Sequence, residues 1–176
     1  MILTSYNEGL DINNLELEIG CYKRAENRGW DETAAACIPA ILTLTETVQK
    51  GDQKGLMKCI QAKFKEFQPL IEKLSNQGAE VMHAIINSIE EYVLSNAVYE
   101  PQFPVILMTI HNMNDECDTE VLSDEVLEEW KEKHEQLDDS DPAKKLLSKN
   151  LLAFFEHAVG VSSSEDEDED SSDDSD

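Results

Sequence analysis

Apolar residues recur every three or four positions through almost the whole chain, and this period constrains the fold more than any other feature. The blocks include Leu15/Ile19/Tyr22, Ile38/Ile41/Leu42, Leu56/Ile60/Phe64, Leu70/Ile71/Leu74, Val81/Ile85/Ile86/Ile89/Tyr92/Val93, Leu122/Val126/Leu127/Trp130 and Leu147/Leu151/Phe154/Phe155/Ala158. A repeat near 3.6 residues is that of a helix with one buried face. Breakers separate the blocks: Gly29, Gly51, Asn76-Gln77-Gly78, Pro101, Pro104 and Asp141-Pro142. Capping residues precede several of them, among them Asp11, Asp31, Asp52, Ser123 and Asp141. Asp31 is expected to cap a second helix running to about Gly51, kinked or restarted at Pro39. Pro69 interrupts the third helix or starts a new one. Val105 to Ile110 is nearly all apolar and suits a buried strand or a buried helix; its helical neighbours favour helix. No alternating strand pattern is convincing. The expectation is an all-α fold, a HEAT-like stack of about seven or eight antiparallel helices over residues 11–160. Residues 1–10 read as a flexible leader, and 161–176 as a disordered Ser/Asp/Glu tail.

Charge narrows the partners. The chain has 38 acidic and 14 basic residues, a net charge of -24. Nine of the acids fall in residues 162–176, and the rest still carries 29 against 14. Such a surface repels polyanions, so direct nucleic-acid binding is excluded and basic partners are implied. Cys21, Cys37, Cys59 and Cys117 form no CxxC pair. Free, buried thiols in a reducing compartment are expected. The start lacks a basic, apolar signal segment, and no stretch is apolar for the roughly 20 residues needed to span a membrane. A cytoplasmic protein without membrane contact follows.

No residue set suggests chemistry of the chain's own. There is no GxxxxGK[ST] or GxGxxG loop to cradle phosphate. His83, His111, His134 and His157 are scattered and read as surface or satisfied core histidines. No metal site and no cofactor are expected. Carboxylates are too abundant for any pair to single out an acid and a base. Two features stand out. In Leu122 to Trp130, Ser123 starts a helix with an apolar-aromatic stripe, and Asp124, Glu125, Glu128 and Glu129 occupy its other faces. An aromatic seam edged with carboxylates suits a basic segment with apolar anchors, although an ordinary amphipathic helix gives the same pattern. The other feature is Leu17, flanked by Glu16 and Glu18. It lies off the stripe of Leu15, Ile19 and Tyr22, as a contact residue would.

Taken in order, these features resemble the W2 domain, the helical module that ends several translation initiation factors. Leu17-Glu18-Ile19-Gly20-Cys21-Tyr22-Lys23 is similar to its first-helix pattern L-E-[IL]-N-x-L-[KR], with Gly20 and Tyr22 departing. Leu122 to Trp130 resembles its first acidic-aromatic box. Leu151 to Ala158 resembles the second, F-[IL]-x-W-L-x-x-A, with Phe154 in place of the tryptophan, followed by Phe155 and Glu156. Acids resume only at Glu165, Asp166 and Glu167, after Val159-Gly160-Val161. The resemblance covers about residues 10–170 and is nearest to the module ending the epsilon subunit of translation initiation factor 2B.

That resemblance implies a guanine-nucleotide exchange module that promotes GDP release from translation initiation factor 2 and has no covalent chemistry. The two boxes would grip lysine-rich segments of that factor's beta subunit. Leu17 and Glu18 would face the GTPase, its gamma subunit. Other initiation factors and the sister subunits of factor 2B are further implied partners. Ser162, Ser163, Ser164, Ser171 and Ser172 precede acids as acid-directed kinases prefer. The resemblance implies phosphorylation there by casein kinase two, which would add charge. A plain solubilising tail is the alternative. Two rival readings differ in kind: a W2 adaptor without exchange activity, as in initiation factor 5 or its mimics, and an acidic helical scaffold unrelated to translation.

Overall fold

A computed structural model of the chain describes residues 2–48 and 51–158. The described residues form an all-α helical stack. The helices are α1 (Ile2–Asn7), α2 (Ile12–Ala25), α3 (Trp30–Thr43), α4 (Gln53–Glu66), α5 (Gln68–Ser75), α6 (Ala79–Ser95), α7 (Phe103–His111), α8 (Asp124–Glu135), α9 (Pro142–Leu146) and α10 (Leu152–Ala158). Ala97–Gln102 and Asn112–Asp115 are 3-10 turns, and a π turn over Leu147–Leu151 joins α9 to α10. No helix among the described residues is long and apolar enough to cross a membrane.

Local chemistry explains most boundaries. The Asp11 carboxylate accepts the Asn13 N–H at 2.7 Å, and Asp52 accepts the Gly55 N–H at 2.8 Å. Ser123 Oγ accepts the Val126 N–H at 3.4 Å, and Asp141 that of Ala143 at 2.8 Å ahead of Pro142. These bonds satisfy N–H groups that have no partner inside a helix. Gly78, at φ 112, lets the chain reverse between α5 and α6. Pro69 starts α5 rather than bending α4. The Val105–Ile110 run is helical, inside α7.

Three boundaries differ from expectation. Helix α3 starts one residue before Asp31, because Glu32 reaches back to accept the Gly29 N–H at 3.0 Å. It then runs through Pro39 without interruption and ends at Thr43, well short of Gly51. Its buried face (Ala34, Cys37, Ile38, Ile41, Leu42) lies against α6, and that packing offsets the one N–H that Pro39 lacks.

The N-terminal residues are not a flexible leader over their length. Ile2 is buried, and α1 packs on α2 and α3. The Tyr6 hydroxyl donates to Glu66 at 2.8 Å and receives Lys63, and its ring lies 5.5 Å from that of Phe67. The apolar character of Ile2 and Tyr6 is what ties this segment down. The expected tail, 161–176, lies outside the described residues. Of the four thiols only Cys37 is buried, and burial pushes it up to about 12; Cys21 is exposed, against expectation, because it faces away from the Leu15/Ile19 stripe.

Ile2→Ala should lower unfolding free energy by about 2 kcal/mol, the low end for a buried isoleucine. Urea denaturation at constant slope checks this; a loss below about 0.5 kcal/mol is the surface value and would restore the flexible leader.

Candidate functional site

Helix α8 divides its residues by face. Val126, Leu127, Trp130 and His134 point into the core. Glu125, Glu128, Glu129, Glu132 and Glu135 are exposed, and at 100° per residue they share an arc about 120° wide on the opposite side. Asp124, half-buried, lies beside His111 Nε2 at 2.9 Å, and Glu129 beside His83 Nε2 at 2.9 Å. Glu135 is 3.9 Å from Lys131. Glu125, Glu128 and Glu132 have no ion pair among the described residues. The carboxylates are therefore available to a cation from outside.

The aromatic half of the expected seam is not. Trp130 is 1% exposed, and Phe154 and Phe155 are 3% each. Trp130 lies edge-on to Phe103 with centroids 6.1 Å apart and parallel to Phe155 at 6.2 Å. Phe154 lies edge-on to Phe155 at 5.2 Å and to His111 at 6.3 Å. These three side chains were expected to face a partner and instead hold α8 and α10 to the core. The reason is area: each ring removes more apolar surface from water inside the stack than a shallow external seam could. Phe154, standing where the resemblance expects tryptophan, thus changes packing rather than a docking surface. Glu156 is exposed on α10. Glu165, Asp166, Glu167 and Ser162, Ser163, Ser164, Ser171 and Ser172 lie outside the described residues.

What holds α8 in this orientation was not foreseen. Glu90 of α6 is 8% exposed and His134 5%. Both Glu90 carboxylate oxygens lie 3.0 Å from His134 Nε2, and Trp130 Nε1–H donates to Glu90 at 3.2 Å. His134 Nδ1 lies 2.7 Å from the Trp130 carbonyl, and the two rings stack at 3.8 Å. Both imidazole nitrogens face acceptors, so the ring serves both only as the doubly protonated imidazolium. Burial alone would depress its pKa; the hydrogen bonds to Glu90 and to the Trp130 carbonyl, with the Glu90 charge, outweigh this and raise it. The signal was present in the sequence. Glu90 interrupts an apolar face one turn after Ile86, and His134 is one turn after Trp130 on the core side of α8.

Leu17 and Glu18 occupy a different surface, on α2. Leu15 and Ile19 face the core, while Leu17 is 62% exposed. Glu18 is exposed too, and its one hydrogen bond is from Ser5 Oγ at 3.1 Å. Glu16 turns the other way to pair with Lys73 of α5. Tyr22, expected on the core stripe, is 45% exposed, because it sits at the mouth of a cavity between α1, α2 and α3 rather than beneath a neighbouring helix. Of the histidines expected at the surface or satisfied in the core, His83 and His111 are half-buried beside Glu129 and Asp124, His134 is buried and satisfied, and the His157 side chain lies outside the described residues. No group of three or more His, Cys, Asp or Glu side chains among the described residues could hold a metal ion.

No protein-family model matches the chain, and no curated protein matches its sequence.

His134 gives stability a definite pH dependence. Its folded pKa is raised, so its stabilising contribution is complete below the ordinary imidazole value of about 6.5 and is lost as pH rises through the folded value. The urea midpoint should therefore decline above about pH 6.5. Glu90→Gln, which removes the charge and keeps the shape, should flatten that decline while lowering the midpoint throughout.

Proposed function

We propose that this chain is a guanine-nucleotide exchange module of the W2 type, acting in the cytoplasm on translation initiation factor 2. The observation that carries the reading is Leu17: a large apolar side chain, mostly in water, beside an exposed glutamate on a helix face with no core role. Most exposed leucines are incidental. This one falls where the W2 pattern places its exchange-critical pair.

The division of labour is physical. The carboxylate arc of α8 attracts the lysine-rich segments of the beta subunit, which raises the encounter rate and is weakened by salt. Leu17 and Glu18 then meet the GTPase of the gamma subunit. Exchange needs no bond made or broken by this chain. It needs a surface that binds the nucleotide-free GTPase more tightly than the GDP-bound form, since only a difference in affinity shifts that equilibrium. Glu18, with no lysine or arginine partner among the described residues, supplies a carboxylate for that contact.

The test is release of labelled GDP from purified factor 2. The unmodified chain should accelerate it, and Glu18→Ala should lose about tenfold, the equivalent of roughly 1.4 kcal/mol. Its thermal midpoint should stay put, because the side chain is exposed. No acceleration, with binding to the lysine-rich segment intact, would make the chain an adaptor.

The triple change Glu125→Lys/Glu128→Lys/Glu132→Lys should weaken binding of a lysine-rich beta-subunit peptide by tenfold or more and reduce its salt dependence, measured by fluorescence anisotropy at two ionic strengths. Unchanged affinity would move the docking surface elsewhere.

A further inference from the structure

Helix α4 differs from the rest of this acidic molecule. Gln53 to Lys65 carries four lysines and no acid. Lys54, Lys58 and Lys65 lie on its exposed side with Gln61. The acids at its two ends are already engaged: Asp52 caps Gly55, and Glu66 holds Lys63 and Tyr6. Lys65 is 3.4 Å from Glu116, while Lys54 and Lys58 have no ion pair among the described residues. Other cations are in poorer company. Lys144 and Lys149 reach toward Asp139 and Glu100, and Arg24 and Arg28 share their stretch with Glu26, Asp31 and Glu32.

A groove of ≈ 620 Å3 adjoins this face. Gln61 forms one side, Val105, Met108 and Thr109 of α7 the floor, and Ala153 of α10 the other side; no charged side chain lines it. A smaller hollow continues it past Asn112 to Lys65. The groove thus connects the lysine face to α10, the helix from which the chain leaves at Ala158. The segment that follows supplies the missing charge: residues 162–176 hold nine acids and no base. Extended, fifteen residues span about 50 Å. Lys54 to Lys65 covers only about 17 Å of helix. Helix α10 packs on α7 and α7 on α4, two helix spacings of about 10 Å each.

We propose that residues 162–176 dock in cis on the lysine face of α4, entering along the groove over α7. The rest of the sequence is net acidic and on balance repels such a segment, whereas tethering keeps its local concentration at this face high. The inference is independent of the exchange reading: it requires only the α4 lysines, the groove and the acidic segment.

The test is the 1H–15N correlation spectrum of the full chain against that of the chain ending at Val161. At about 10 mM salt, where the screening length is about 30 Å, amide shifts should differ along Lys54–Lys65 and Met108–Asn112. At about 1 M salt, with a screening length of about 3 Å, those differences should largely vanish. In the full chain, Lys54→Glu/Lys58→Glu should give the truncated chain's shifts at Met108–Asn112, with unchanged helical circular dichroism. The salt titration of the unmodified chain tests the same point without any substitution. No low-salt difference, or a difference centred on Arg24/Arg28 or Lys145/Lys149, overturns the proposal. Shifts that grow with protein concentration assign the face to the acidic segment of a second copy and overturn docking in cis.

Discussion

The contact between Glu90 and His134 fixes how the last third of the molecule is presented. Taking a carboxylate and an imidazolium out of water is costly, and the cost is offset only when every donor and acceptor is matched. Here both carboxylate oxygens, both ring nitrogens, the Trp130 N–H and the Trp130 carbonyl are used within one cluster. Such a network tolerates one arrangement. A rotation of α8 by one residue would strand Glu90 without its donors. The orientation that satisfies Glu90 is also the one that turns Glu125, Glu128 and Glu132 to solvent, so a buried polar contact determines which charges the surface presents.

Carboxylates and aromatics interleaved on a helix invite a reading in which both touch the same partner. In this molecule they separate by depth. The rings of Trp130, Phe154 and Phe155 stack among themselves and against Phe103 and His111, making the joint between α7, α8 and α10. The carboxylates stand outside it. Built this way, α8 is an acidic surface with an aromatic root. What it presents to solvent is a set of charge positions rather than an apolar slot. Leu17 exposes apolar surface on a separate helix.

The fold was legible where the signal was local. Period and capping located α2, α4, α6, α8 and α9 because each boundary depends on one residue: the side chain of Asp11, Asp52, Ser123 or Asp141, or the backbone of Gly78. Pro39 misled because its penalty is local and the packing of α3 on α6 that overrides it is not. Residues 2–7 were missed because a six-residue helix has too short a period to register, and Tyr6 finds Glu66 and Phe67 sixty residues on. Within the candidate site, the exposure of Leu17 could be read from its angle to Leu15 and Ile19. The burial of Trp130 could not. Its position on a stripe shows that it faces something, and only Glu90 and Phe103, 40 and 27 residues earlier, show that it faces inward.

Trp130 lies in the core, and the carboxylates of α8 stand outside it. Acrylamide quenching of Trp130 fluorescence in a Trp30→Phe chain, where it is the sole tryptophan, with and without a lysine-rich peptide, tests this placement. A buried indole predicts blue-shifted emission, little quenching, and no change when the peptide binds. Red-shifted, quenchable emission that becomes protected on binding would place Trp130 at an interface instead of in the core.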